Sequence, residues 1–191
     1  MVYIFENLSL CTECWLAEKE KTLPAWRIKK VQSLKKQEDK VRSVAAFLLL
    51  QRALKDRGYS TVPAFAYEKW GKPYFPEIPI HFSLSHCKEA VACAVADCPI
   101  GVDVQGKMVY SAPLAERISS PDQRIALEQA ADKGLALTAL WTKKEALAKC
   151  SGKGLGEKFF ELEADVFTLH RPRYCLSVTE ENPRICILNE L

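Results

Sequence analysis

The sequence predicts an α+β fold on three observations. Residues 38 to 57 and 135 to 150 carry apolar side chains at helical spacing. Short apolar or alternating runs at 90 to 105, 174 to 178 and 185 to 188 read as strands, and a turn-rich stretch fills 61 to 80. With 191 residues, 48% of them hydrophobic, the chain can bury a core either as one large domain or as two small packed halves.

The first helix rests on Val41, Val44, Ala45, Leu48 and Leu49, with acids in its first turn and Gly58 past its end; Arg42 lies beside that apolar stripe. Proline, aromatics and the run Trp70, Gly71, Lys72, Pro73 mark the following segment as turns between short extended pieces. Residues 90 to 96 and 100 to 105, separated by Asp97, Cys98 and Pro99, read as a hairpin. In its second strand Ile100, Val102 and Val104 share one face, so Asp103 and Gln105 point together to the other. Ser120 is a helix cap with Pro121 first and Gln123 placed to reach back, and that helix is expected to end near Gly134. In the next helix Leu137, Leu140, Lys144 and Leu147 form one stripe and Trp141, Glu145 and Lys149 another, before a flexible glycine-rich loop at 151 to 156.

Composition narrows the function classes. No run approaches the roughly 18 apolar residues of a membrane span, and residues 1 to 6 show no basic segment leading into an apolar one, which reads as a soluble cytoplasmic protein. Eight cysteines in so apolar a chain are read as free thiols. Cys11 and Cys14 have no second pair at zinc-finger spacing. Net charge is +3, but residues 19 to 57 hold 12 basic against 4 acidic side chains, a local patch suited to a polyanionic ligand or an acidic partner, or equally to a solvated helix face.

Singly, the polar candidates are unremarkable: an Asp near a strand end is usually a turn former, and Glu145 with Lys149 four residues on is usually a solvated pair. Ser85 suits a cap, and His86 suits a hydrogen-bonded strand edge. Together, Asp103 and Glu145 offer the one or two carboxylates with which Mg²⁺ commonly binds alongside substrate phosphate and water, and His86 adds a donor for phosphate oxygen.

Three blocks in order, Phe82-Ser83-Leu84-Ser85-His86, Gly101-Val102-Asp103-Val104-Gln105 and Trp141-Thr142-Lys143-Lys144-Glu145-Ala146 with Lys149, resemble the signature of Sfp-type 4′-phosphopantetheinyl transferases. Gly71-Lys72-Pro73 and Gly152-Lys153-Gly154-Leu155 agree, so the resemblance covers about residues 38 to 156. It implies two pseudo-twofold-related halves, each a helix packed on a small antiparallel sheet, taken as 1–107 and 108–191 and joined near residues 106 to 113, with coenzyme A in the cleft between them. It implies an enzyme of the holo-(acyl-carrier-protein) synthase type. Such an enzyme moves the phosphopantetheine arm of coenzyme A onto a serine of an acyl or peptidyl carrier protein with Mg²⁺, releasing 3′,5′-ADP. The metal ligands would be Asp103, Glu145 and Gln105. His86 and Lys149 would contact the pyrophosphate, and Arg42, Lys72 and Ser85 would serve the 3′-phosphoadenosine end or its surroundings. Glu145 is the candidate base, directly or through a water on the metal, with Lys149 and His86 completing the catalytic set.

Two departures stand out. Many relatives carry an acid where this chain has Gln105, whose amide oxygen coordinates hard ions without bringing charge. After Phe167 the chain goes almost directly to Arg171 and Tyr174, leaving little room for extra strands and putting partner choice most in question. Two other readings compete. One is a nucleic-acid binder using the basic segment with Trp26, Phe47, Trp70 and Tyr74, a reading that leaves the three blocks unexplained. The other is a non-catalytic member that binds coenzyme A or a carrier. A monomer is expected, because paired halves build the cleft internally; nucleic acid and membrane are not expected partners.

Overall fold

The computed structural model describes residues 1–154 and 161–191. Strand β1 (Val2–Phe5) is buried along its whole length because it has a core on each face: Tyr3 and Phe5 enter one, Val2 and Ile4 the other. Two short helices, α1 (Glu13–Glu20) and α2 (Ala25–Gln32), then lead to α3 (Gln37–Lys55), whose acids in the first turn and bases in the last complement the helix dipole. Neither α1 nor α2 is anticipated from the sequence, since each is 8 residues long, about two turns, too short for a helical repeat to stand out.

A small ribbon of β2 (Ala66–Tyr67) and β3 (Pro73–Tyr74) turns through Gly71 at φ +86°, within the stretch read as turns. It is followed by β4 (His81–His86), β5 (Val91–Ala96) and β6 (Val102–Gly106). The helices α4 (Ala112–Ile118), α5 (Pro121–Gln129) and α6 (Lys133–Ser151) come next, and β7 (Phe167–His170), β8 (Tyr174–Val178) and β9 (Ile185–Leu188) complete the chain. No helix among the described residues is long and apolar enough to cross a membrane. All eight cysteines are free thiols.

These elements form four layers. One sheet has the order β4-β5-β1-β9, antiparallel except for the parallel β1–β9 pair; the other is antiparallel, β6-β8-β7. Helix α3 covers the outer face of the first sheet, packing Ala46, Leu49, Leu50 and Ala53 against Tyr3, Phe5, Phe82, Cys93 and Val95. Full burial of each such leucine contributes about 1.5–3 kcal/mol. The inner face, with Val2, Ile4, Ala92 and Ala94, meets Val102, Val104, Leu176 and Val178 of the second sheet. Helix α6 lies on the outer face of that second sheet, where Thr142 bonds the Ser177 hydroxyl at 2.8 Å. The result is the α+β arrangement of two helix-on-sheet halves, packed sheet to sheet.

Two local expectations fail for physical reasons. Residues 90 to 105 are not a hairpin. Strand β5 is apolar on both faces and takes β4 and β1 as neighbours, while the chain crosses at Asp97 to Pro99 into the other sheet, where β6 pairs with β8. The outward N–H groups of β6 are satisfied by serine hydroxyls instead of a ladder: Val102 and Val104 each donate, at 3.1 Å, to Ser83 Oγ and Ser85 Oγ. The helix begun by the Ser120–Gln123 capping box ends at Gln129, and Gly134 belongs to α6, which Asp132 caps. Of the loop expected at 151 to 156, Gly152 closes α6 in a left-handed cap at φ +69°, whereas residues 155 and 156 lie outside the described residues.

Candidate active site

Because Val102 and Val104 are claimed by the core between the sheets, alternation turns Asp103 towards α6, where it is only 6% exposed. A carboxylate so buried requires partners. Ser85 donates to Asp103 Oδ1 at 2.8 Å, and Lys149 Nζ donates to the same oxygen at 2.6 Å and to Ser85 Oγ at 3.0 Å. The Ser85 hydroxyl also accepts from Val104 N–H, so one serine fixes the strand, the carboxylate and the ammonium together.

Lys149 reaches Asp103 because α6 sits close on β6. A Cβ on Gly101 would lie 1.9 Å from the Ala146 carbonyl oxygen and 2.6 Å from the Cys150 nitrogen, so only glycine permits this approach. One turn before Lys149, Glu145 shares its helix face. Its carboxyl is held above the ordinary value by burial first and by the Asp103 charge second, with Lys149 opposing. The two carboxylates therefore sense each other electrostatically.

The remaining residues fall into two cavities. One, of about 270 Å³, is lined by Glu145, Lys149 and Lys72, with Trp70, Phe82 and Leu84 as an apolar wall. Here Lys72 ties the β2–β3 ribbon to α6, donating to the Cys150 carbonyl at 2.7 Å. The other, about 540 Å³ and polar, holds Arg42, His86 and Gln105. In it Arg42 pairs with Asp39 at 2.6 Å and Glu38 at 3.7 Å. Desolvation, and then the charges of Arg42 and Lys149, hold the His86 imidazole below the usual histidine value. So Asp103, Ser85, Lys149 and Glu145 come together, Lys72 joins them across one cavity, and Arg42, His86 and Gln105 stand in the other. Residue reading missed Ser83 and Gly101 as organisers. Their signal was present: serines alternating with apolar residues on a strand, and a glycine two positions before a buried acid.

Among the described residues no three His, Cys, Asp or Glu side chains form a cluster. Of the oxygen donors, Glu145 lines the smaller cavity, Asp103 is buried behind it within reach of its charge, and the Gln105 amide, one pleat along, opens on the larger cavity; two mutually repelling carboxylates suit a hard divalent cation that completes its shell with phosphate and water.

With the geometry in hand, comparison with known proteins gives a consistent answer. The family model for the 4′-phosphopantetheinyl transferase superfamily matches residues 99–190. A 4′-phosphopantetheinyl transferase of Bacillus subtilis is 33% identical over 127 residues, covering 62% of this chain and 55% of that protein. The Bacillus pumilus 4′-phosphopantetheinyl transferase psf-1 is 39% identical over 94 residues, 48% of this chain and 40% of its own. The 4′-phosphopantetheinyl transferase pptA of Paxillus involutus is 29% identical over 164 residues, 72% of this chain and 62% of its own. The chain thus spans from 40% to 62% of the length of these curated relatives. The matched region includes β6 with Asp103 and α6 with Glu145 and Lys149, and over that region the chain is similar to the 4′-phosphopantetheinyl transferase superfamily.

Proposed function

We propose that this protein transfers the 4′-phosphopantetheine group of coenzyme A to a serine of an acyl or peptidyl carrier protein, with Mg²⁺. The observation that carries the reading is the buried Asp103 carboxylate, interlocked with Ser85 and with Lys149, which lines a cavity together with Glu145. Asp103 and Glu145, with the Gln105 amide, would hold the ion. When bound, the metal supplies positive charge for the diphosphate oxygens.

The chain's own groups account for the rest. Glu145 takes the proton of the carrier serine hydroxyl, whose oxygen forms a bond to the β-phosphorus as the bond from that phosphorus to the oxygen of 3′,5′-ADP breaks. A carboxyl with raised proton affinity is the better base for this step. Lys149 and His86 neutralise charge on the diphosphate, and Arg42, Lys72 and Ser85 organise the 3′-phosphoadenosine end. The reading takes 1–107 and 108–191 as the two halves, each lending one strand to the other's sheet, β6 to the sheet under α6 and β9 to the sheet under α3, and acting as a monomer because one chain supplies both walls of the cleft. Free thiols throughout suit the cytoplasm. The exposed Lys29, Lys30, Lys35 and Lys36 suit an acidic carrier face.

The test is intact mass of several apo carrier proteins after incubation with this protein, coenzyme A and Mg²⁺, with an EDTA control. A metal-dependent gain of one phosphopantetheine supports the proposal; coenzyme A binding without any gain points to a non-catalytic member.

His86 supplies a pH signature. Its imidazole is depressed in the free protein, and a bound phosphate dianion should draw its proton affinity back up, so coenzyme A binding takes up a proton where the free histidine is neutral. Affinity attributable to His86 is therefore expected to rise as pH falls through the ordinary histidine range and to level off once the depressed imidazole of the free protein is itself protonated. Calorimetry in buffers of different ionisation enthalpy should show fewer protons taken up by His86→Asn; equal uptake would remove His86 from the phosphate contacts.

A further inference from the structure

We propose that Lys149 is a built-in counter-ion that occupies the electrostatic place of the divalent cation, so that the ion binds well only once the donor's diphosphate draws the ammonium off Asp103. The inference rests on the function proposed above. Lys149 Nζ lies 2.6 Å from Asp103 Oδ1 and 3.0 Å from Ser85 Oγ, which commits two of its three N–H donors inside the protein. It is the cation opposing the mutual repulsion of Asp103 and Glu145. An ion bound to Asp103 would sit beside this ammonium, and two cations sharing one carboxylate oxygen compete for it. Lys149 can leave, because its side chain is one-third exposed and lines the open cavity. A diphosphate in that cavity offers it new acceptors while supplying oxygen ligands to the ion. Metal and coenzyme A are then coupled, each tightening the other by the same factor.

The magnitude follows from competition on one carboxylate. An ammonium 2.6 Å from the oxygen that would ligate the ion opposes a second cation there by Coulomb repulsion, so removing it should strengthen cation binding about tenfold or more. The experiment titrates Mn²⁺ into the full chain, reading free Mn²⁺ by electron paramagnetic resonance, for wild type, Lys149→Met and Lys149→Gln, with and without coenzyme A. The expected result is weak binding by wild type alone and at least about tenfold tightening with coenzyme A. The variants should bind about tenfold more tightly than wild type alone, and coenzyme A, which still supplies oxygen ligands, should tighten them by a smaller factor than it tightens wild type. Equal Mn²⁺ affinity of wild type and variants without coenzyme A overturns the counter-ion role and leaves the proposed function standing. No Mn²⁺ binding by any of them, with or without coenzyme A, overturns both. Thermal unfolding verifies the variants, and Lys149→Gln retains donors for Asp103 and Ser85 if Lys149→Met does not fold. The wild-type measurement needs no variant, since equal affinity with and without coenzyme A also overturns the inference.

Discussion

Asp103→Asn is expected to lower transfer to an apo carrier by at least about a hundredfold to a thousandfold while leaving a folded protein. The amide has the shape of the carboxylate and retains an oxygen that can accept from Ser85 and Lys149, which now donate at 2.8 and 2.6 Å. The charge is lost, and with it one of the two carboxylates of the proposed cation site. The price in stability is modest, about 1–3 kcal/mol for weakening a charge-assisted pair in a buried setting. Asp103→Ala would cost more, because Lys149 and the Ser85 hydroxyl would both lose their acceptor. The discriminating measurements are transfer rate and melting temperature together. Near-wild-type transfer by Asp103→Asn at saturating Mg²⁺ would show that this carboxylate does not hold the ion, whatever else the protein does.

The extent to which the site was legible follows from what each residue depends on. Asp103, Glu145 and Lys149 could be placed from periodicity alone: two alternating valines fix the side on which the aspartate emerges, and a spacing of four puts glutamate and lysine on one helix face. That the strand faces the helix is a tertiary fact, and it depends on Gly101, whose importance is the absence of a side chain. The hairpin misreading has the same origin. Strand β5 and the strand after it are adjacent in sequence and both apolar, but β5 has two partners elsewhere, and the N–H groups on the free edge of β6 are satisfied by Ser83 and Ser85 on β4. Hydroxyl-to-backbone stitching leaves no periodic trace. Strand β9 closing the first sheet beside β1 is likewise a pairing across almost the whole chain, which local pattern cannot specify. The engagement of Lys72 with the end of α6 and of Arg42 with Asp39 also depends on contacts, so their assignment to phosphate came from the family resemblance and not from any pattern around them.

Gly101→Ala is expected to damage both stability and transfer more than any other single-methyl change near the site. Its Cβ would meet the Ala146 carbonyl oxygen at 1.9 Å and the Cys150 nitrogen at 2.6 Å. Both are backbone atoms of α6, so no side-chain rotation relieves the clash; the helix must lift from β6 by more than an ångström to restore contact distances. Overpacking of this kind costs about 1–3 kcal/mol where a core can yield and more where it cannot, and a loss of about 3 kcal/mol or more is expected here. The lift also moves Glu145 and Lys149 away from Asp103, and a displacement of about 1 Å in a reacting constellation can cost about a hundredfold in rate. Gly58→Ala is the control. Gly58 has φ +88° but open space around its would-be Cβ, at the end of α3 and far from Asp103 in the chain, so it should cost about 1 kcal/mol of local backbone strain and leave transfer intact. Chemical denaturation and carrier loading rates for the two variants separate steric lifting of α6 from a general glycine effect. If Gly101→Ala melted with Gly58→Ala and retained full transfer, α6 would not be seated on β6 through this glycine, and the positions of Glu145 and Lys149 would need another explanation.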